Sequence, residues 1–226
     1  MKRVITALLA ALLVLSLAAC GSGVETKKLA GTWTCTIDVT DRMNAAAEQA
    51  LGLSAADGTA QMPLQLVLTV TEDGTYTLRY DSDAVRTALD AYAAALHPAA
   101  VESVYAAAEE QGLSREEYDA AMEKAGITMD DMVAAIFAGV DEEELLSLLT
   151  GRSAAITGYC KAEGGQLYLA DTAAELAETA DCLSYTLSDG TMTWTDAQGE
   201  LSSQLTEQEQ ELLRVPLTWT KQEESK

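Results

Sequence analysis

The chain has 226 residues, of which 48% are hydrophobic, and its 14 basic and 36 acidic residues give a formal net charge of −22. That length is enough for one ordinary domain, or for one domain with a large insertion. The negative charge of the whole chain repels nucleic acid and anionic lipid headgroups, and we therefore expect no nucleic-acid partner.

The first 19 residues have the three-part layout of a secretory signal peptide. Lys2 and Arg3 supply positive charge, residues 4–15 are almost entirely apolar, and small residues then lead to a cleavage site. The apolar run is shorter than the ~20 residues that a transmembrane helix needs. We therefore expect residues 1–19 to be removed during export.

The cleavage region Leu17-Ala18-Ala19-Cys20 resembles the lipobox of bacterial lipoproteins. The resemblance implies that Cys20 carries a diacylglyceryl group and acyl chains such as palmitate, and that residues 20–30 tether the folded part to the outer face of the cell membrane. Gly21 is not the Asp that often retains lipoproteins at the inner membrane, so the outer membrane is the destination to consider in a cell with two membranes. An ordinary signal peptide with a chance cysteine is the alternative.

Eight segments alternate apolar with polar residues, and this period of two predicts strands with one buried face. They cover residues 31–40, 64–71, 75–81, 154–162, 166–170, 182–187, 191–196 and 215–221. The second and third segments, the fourth and fifth, and the sixth and seventh are joined by Asp-Gly or Gly-Gly turns, which favour tight hairpins because such turns need a positive φ. The other four connections are long.

This alternation of short and long connections predicts an eight-stranded, up-and-down antiparallel β-barrel over residues 31–81 and 153–221. In that topology all tight hairpins lie at one end, and every long connection leaves from the other. The first strand begins at the end closed by hairpins, and ten residues link it to Cys20. We therefore expect the end closed by hairpins to face the membrane.

The longest connection, residues 82–152, is a predicted helical insertion, which makes the chain mainly β with a large α part. We expect helices over 83–96 and 99–111, interrupted at His97-Pro98 because proline removes a helix hydrogen bond. Three further helix starts have a cap residue followed three positions later by an acid that can reach back to it. The cap residues are Ser114, Thr128 and Asp141.

The segment Gly31-Thr32-Trp33, at the start of the first strand, resembles the Gly-x-Trp motif of the lipocalins. In that family a basic residue from the end of the barrel packs over the tryptophan, which here implies that Lys221 is the partner of Trp33. The motifs L-x-G-x-W, E-D-G-T-Y-T-L and a terminal L-T-W-T-K are similar to those of lipocalin-like lipoproteins from anaerobic gut bacteria. The resemblance covers the strands and not the insertion.

The resemblance implies a non-enzymatic protein that binds a small hydrophobic ligand inside its barrel. The inward-facing candidates for this site are Leu68, Tyr76, Leu78, Tyr80, Tyr185 and Trp194. Two alternatives remain open. The barrel interior could be filled by its own side chains, with the helical insertion forming a protein–protein contact, or a pair of carboxylates could form a hydrolase site that acts on the cell envelope.

Known catalytic, metal and cofactor motifs are absent from the sequence. The single histidine, His97, precedes a proline at a predicted helix break, where a turn role is the expected one. Cys35, Cys160 and Cys182 form no C-x-x-C pair, so we expect neither a zinc site nor a redox site. One disulfide with a remaining thiol, or three buried thiols, both fit their number.

Overall fold

The computed structural model describes residues 24–53, 60–137, 142–151, 155–178, 181–198, 211 and 213–223. The predicted signal peptide, the acylation site at Cys20 and the predicted helix cap at Asp141 lie outside these ranges. Among the helices in the described ranges, none is both long enough and apolar enough to span a bilayer.

Eight strands close into one barrel, and their order around the barrel follows the sequence. They are β1 Gly31–Asp38, β2 Pro63–Val70, β3 Thr75–Tyr80, β4 Ile156–Glu163, β5 Gln166–Ala170, β6 Asp181–Ser188, β7 Thr191–Gln198 and β8 Leu217–Lys221. Neighbouring strands pair antiparallel, and β8 closes the barrel by pairing with β1. The predicted eight-stranded antiparallel barrel is confirmed, and each strand begins and ends within about two residues of its prediction.

Tight turns join β2 to β3, β4 to β5 and β6 to β7, as predicted from the Gly-containing segments. Because strand direction alternates around the barrel, these three turns lie at the same end, where β1 starts and β8 finishes. We call this end the hairpin-closed end. The chain leaves the barrel from the opposite end in every long connection.

The barrel interior is lined by large apolar side chains at alternate strand positions. The buried residues include Trp33, Cys35, Leu66, Leu68, Val70, Tyr76, Leu78, Ile156, Cys160, Ala162, Leu167, Leu183, Met192, Trp194, Leu217 and Trp219. Full burial of a leucine-sized side chain contributes about 1.5–3 kcal/mol. Each of the eight described strands has a neighbouring strand on both sides in the closed ring, so the barrel has no edge strand.

Seven helices can be given ranges within the described part of the chain. They are α1, described over residues 24–29, α2 Thr40–Leu51, α3 Ser82–Glu110, α4 Arg115–Ala125, α5 Met129–Phe137, α6 Glu142–Thr150 and α7 Glu175–Glu178. The sequence predicted neither α1 nor α2, and α1 lies in the segment expected to be a plain tether. The predicted caps at Ser114 and Thr128 are confirmed, since each exchanges hydrogen bonds with the acid three positions later.

The predicted helix break at His97-Pro98 is wrong, because α3 continues through Pro98 to Glu110. Proline removes only one backbone hydrogen bond there, whereas Leu96 and Ala100, four residues apart on one face, are both fully buried. Packing along this face keeps the two halves in one helix. His97 is therefore a helical residue, and its Nε2 lies 3.1 Å from the carboxylate of Asp130 on α5.

The chain divides into two compact units. The barrel unit comprises Met1–Cys35, Leu66–Tyr80 and Ala154–Lys226, and the helical unit comprises Thr36–Gln65 and Asp81–Ser153. The helical unit is thus larger than the predicted insertion, since it also takes the connection between β1 and β2 with α2. Its own small core is formed by Leu53, Ala100 and Val133.

Candidate functional site

Trp33 is held in place at the hairpin-closed end by two different contacts. Its indole N–H donates a hydrogen bond of 2.7 Å to the carbonyl oxygen of Leu29, and the ammonium of Lys221 lies 5.3 Å from its ring centroid. A cation at this distance from an aromatic face contributes about 0.5–2 kcal/mol. Gly31, with a φ of +128°, leaves room for Lys221, because a Cβ at this position would lie 2.7 Å from the lysine Cε. The group Gly31, Trp33 and Lys221 thus has a structural role.

Helix α1 is attached to the hairpin-closed end by buried residues. Thr26 is 6% exposed, and its hydroxyl accepts a hydrogen bond of 3.0 Å from the backbone N–H of Ala162 on β4. Leu29 is fully buried. These contacts differ from the plain tether predicted for residues 20–30, since its second half is a helix fixed to the barrel. The described part of α1 could not be predicted from the sequence, because six residues are too few to show a helical period.

The six predicted ligand residues fall into two groups on the barrel wall. Leu68 pairs with Leu78 on β2 and β3, where Tyr76 and Tyr80 also lie. Tyr185 pairs with Trp194 on β6 and β7. The strands β4 and β5 separate the two groups along the sheet. Four of the six side chains are buried, whereas Tyr80 and Tyr185 are half-buried.

The ring of Tyr76 lies against the backbone of β4 at Gly158, its cross-strand partner. A Cβ at Gly158 would stand 2.9 Å from Cε1 of Tyr76 and 2.5 Å from the carbonyl oxygen of Ala170. The glycine is thus required by close packing on both sides. Tyr76 is a wall residue of the barrel whose position is fixed by this contact.

Trp194 and Trp219 form a pair of indoles inside the barrel unit, with their ring planes tilted by 46° to each other. Their ring centroids are 4.8 Å apart, and the side chains are 4% and 0% exposed. Both indole N–H groups are buried and have no hydrogen-bond partner in the described part of the chain. A buried donor left unpaired costs about 1–3 kcal/mol. The sequence placed both residues inside the barrel, but it could not show that their N–H groups lack an acceptor.

An unpaired acceptor belongs to the same unit. Oε2 of Glu25, on α1, is buried and has no hydrogen-bond partner among the described residues. The pKa of Tyr185 is raised, first by burial and then by the negative charge of Glu25. Among its described residues, the barrel unit thus contains two unpaired donors and one unpaired acceptor, a set that suits a bound molecule with both kinds of polar atom.

The two buried cysteines of the barrel, Cys35 and Cys160, are not suited to nucleophilic chemistry. Cys35, Cys160 and Cys182 are thiols within the described ranges, so of the two predicted possibilities the one without a disulfide is observed. Burial raises the pKa of Cys35, and burial together with the charge of Asp73 raises the pKa of Cys160 to about 12. Because the thiolate is the reactive form, a buried thiol of this kind is inert.

The helical unit contains a pocket of about 410 Å³, whose lining includes Leu53, Ala99, Ser103, Glu102, Glu109 and Arg115. Two carboxylates meet there, as a hydrolase site would require, but Arg115 binds both. Its guanidinium donates to the two oxygens of Glu102, at 3.1 and 2.8 Å, and to Glu109 at 3.3 Å. The pKa of Glu102 is lowered by this hydrogen bonding. Glu102 therefore stays ionised and serves as an anchor between α3 and α4.

Metal-binding clusters of three or more His, Cys, Asp or Glu side chains do not occur within the described ranges. The comparison with other proteins also gives no guide to function. No protein-family model matches the chain, and no curated protein or solved structure is similar enough to count as a match.

Proposed function

We propose that this chain is a lipid-anchored, extracytoplasmic binding protein with a lipocalin-like barrel, and that the barrel holds a small hydrophobic molecule. The anchor is the acylated Cys20 of the lipobox-like segment, and the protein lies on the outer face of the membrane. Binding rather than catalysis is the activity we propose, because the buried thiols and the arginine-bound carboxylates are poorly suited to proton transfer.

The observation that carries the ligand proposal is the pair of unpartnered indole N–H groups of Trp194 and Trp219. Buried polar groups in proteins nearly always have a hydrogen-bond partner, and a bound molecule is one source of it. The surrounding wall is apolar, with Met192, Leu183 and Leu217 all buried. The ligand we propose is therefore mainly apolar and carries at least one hydrogen-bond acceptor, such as a carbonyl or carboxylate oxygen.

Native mass spectrometry of the delipidated protein tests this proposal. We expect a mass increment that is lost on denaturation, and an extract that contains an apolar molecule with an oxygen acceptor. Trp194→Phe and Trp219→Phe each remove one hydrogen-bond donor. Each variant should bind the co-purified ligand about threefold to tenfold more weakly. A clean mass of the protein alone, after gentle purification from its native host, contradicts the proposal.

Trp33→Phe is the matched control for these variants. It makes the same change in side-chain size at a buried indole, but the N–H of Trp33 already has its acceptor in Leu29. The control should therefore keep the ligand affinity, as long as circular dichroism shows that the barrel is folded. Equal losses of affinity in all three variants would show that the indole N–H groups do not select the ligand.

A protein–protein contact through the helical unit is the second candidate function. None of residues 115–125, which form α4, is buried. Leu113 and Ile127, which flank this helix, are 39% and 41% exposed. Exposed apolar side chains around a solvated helix are suited to contact with another protein. Loss of a co-purifying protein in the Leu113→Ser, Ile127→Ser double variant would support this function, with the barrel ligand unchanged.

A further inference from the structure

We propose that the hairpin-closed end of the barrel rests directly on the phospholipid bilayer. In this arrangement Val24 and Leu187 enter the lipid interface, and Lys27 and Lys28 meet the headgroup phosphates. The inference rests on the proposed anchor at Cys20 and goes beyond it, because it names the protein surface that contacts the lipid and the side chains that do so.

Only a short length of chain separates the proposed anchor from the barrel. Val24 is the first described residue of α1, and α1 is fixed to the barrel through Thr26 and Leu29, which contact Ala162 and Trp33. Only Gly21, Ser22 and Gly23 separate Cys20 from Val24. Even a fully extended chain covers at most about 14 Å over these four steps. The hairpin-closed end is therefore held close to the bilayer in which the acyl chains lie.

Two exposed apolar side chains lie at the hairpin-closed end. Val24 is 55% exposed and Leu187 is 38% exposed. Leu187 lies next to the tight turn between β6 and β7, at the hairpin-closed end. Val24 belongs to α1, which is attached to the same end through Thr26 and Ala162. Both side chains are thus exposed at the end that the anchor holds close to lipid.

Helix α1 carries two adjacent positive charges in a chain that is strongly acidic overall. Removal of the signal peptide takes away Lys2 and Arg3 and leaves 12 basic against 36 acidic residues, a net charge of −24. Within this acidic chain, Lys27 and Lys28 are adjacent and exposed on α1. They provide ammonium groups for phosphates at the height of the lipid headgroups. Lys161 adds no free charge, since it forms an ion pair with Glu163 at 2.6 Å.

Acidic residues at the same end limit the kind of lipid that fits. Glu72 and Asp73 lie in the turn between β2 and β3, Asp189 lies in the turn between β6 and β7, and all three are exposed. A strongly anionic surface would repel these carboxylates, whereas a zwitterionic phospholipid surface offers phosphates to the lysines without a net negative charge. The partner is thus a bilayer made mainly of zwitterionic phospholipid.

The test couples the mature chain, residues 20–226, through Cys20 to a maleimide lipid in phosphatidylcholine vesicles that contain a photoactivatable phospholipid. The variant Cys182→Ser is used throughout, because Cys182 is the half-buried thiol and Cys35 and Cys160 are buried. After illumination, peptide mass spectrometry should find lipid adducts on residues 24–29 and 187–190. Adducts mainly on α4, or spread evenly over exposed peptides, would overturn the inference.

Two double variants at similarly exposed sites show whether the contact depends on the apolar side chains of the hairpin-closed end. Val24→Ser with Leu187→Ser should lower the adduct yield at the hairpin-closed end about fivefold, since each change removes apolar surface from the interface. The matched control is Leu113→Ser with Ile127→Ser, whose exposed fractions of 39% and 41% lie close to that of Leu187. This control should leave the adduct pattern unchanged, and an equal loss in both double variants would contradict the proposed contact.

The chemical coupling also separates this inference from the anchor proposal. The vesicle experiment needs no natural acylation, whereas the intact mass of the protein from its native host reports acylation of Cys20 directly. Adducts at the hairpin-closed end with an unacylated native protein would support the surface and refute the anchor. An acylated native protein with adducts elsewhere would support the anchor and refute the surface.

Discussion

The three tryptophans of the barrel unit differ in what their indole N–H groups contact. Trp33 donates to the backbone of Leu29, whereas Trp194 and Trp219 lie in a tilted pair and have no acceptor in the described part of the chain. Trp33 and Trp219 are equally buried, at 1% and 0% exposed. They are therefore a matched pair for measuring the contribution of the hydrogen bond and of the cation contact from Lys221.

We expect Trp33→Phe to destabilise the ligand-free protein by about 1–2 kcal/mol more than Trp219→Phe does. Both variants lose the same side-chain volume, but only the first leaves a buried carbonyl oxygen, that of Leu29, without its donor. Urea denaturation of protein refolded without ligand measures the difference. Equal midpoints and equal slopes would show that the contact between α1 and Trp33 adds no stability.

At the residue scale, the sequence predicted which side chains face the barrel interior but not what their polar atoms contact. Alternation along β7 and β8 is visible in the sequence and places Trp194 and Trp219 inward. The acceptor of Trp33 lies four residues earlier, in a helix that has no periodic signal. Glu25 was missed for the same reason, since its burial depends on how α1 packs against the barrel.

At the scale of elements, strands were predicted more accurately than helices. A strand of eight residues such as β1 shows four alternations, and its Gly-containing neighbours mark the turns. The helix α2, with a run of alanines and little apolar contrast, has only Ala47 buried among its residues whose exposure is described. Pro98 indicated a break in α3, but buried residues on both sides of it keep the helix continuous. Local propensity is thus overridden by packing.

The connection between α3 and α4 depends on Arg115, and this gives a prediction about pH. Arg115→Met should return the pKa of Glu102 towards its ordinary value, because hydrogen bonding to the guanidinium is the main cause that lowers it. A lowered carboxyl pKa stabilises the fold above the unfolded-state pKa, and this contribution is lost as the pH falls through the folded-state value. The contribution of Arg115 should therefore be present at neutral pH and vanish in acid.

Two measurements check this prediction. Carboxyl NMR titration gives the pKa of Glu102, and hydrogen exchange in residues 115–125 reports how firmly α4 is held. The control is Arg86→Met, since Arg86 pairs with Asp83 at 3.7 Å and both residues belong to α3. An unchanged pKa of Glu102 in Arg115→Met would mean that the ion pair does not form in solution.

At the scale of the whole molecule, closure of the barrel makes its fold independent of the anchor. Every strand has two neighbours in the ring, and the described contacts of α1 with the barrel begin after Cys20. The chain carries 36 acidic against 14 basic residues, and the resulting repulsion between copies opposes their association. Without the proposed lipid, we therefore expect a change in where the protein is found, and not in whether it folds.

This independence leads to the prediction for Cys20→Ser. The variant should be exported, folded and released from the membrane fraction, because it lacks the acyl chains that the thiol would carry. Cell fractionation and intact mass measure the outcome, with the thermal midpoint as the test of folding. Cys182→Ser is the control, since it removes a thiol of the barrel and leaves the lipobox-like segment unchanged. A Cys20→Ser protein that stays with the membrane at the wild-type level would mean that another contact, and not the acyl chains, holds this protein at the cell surface.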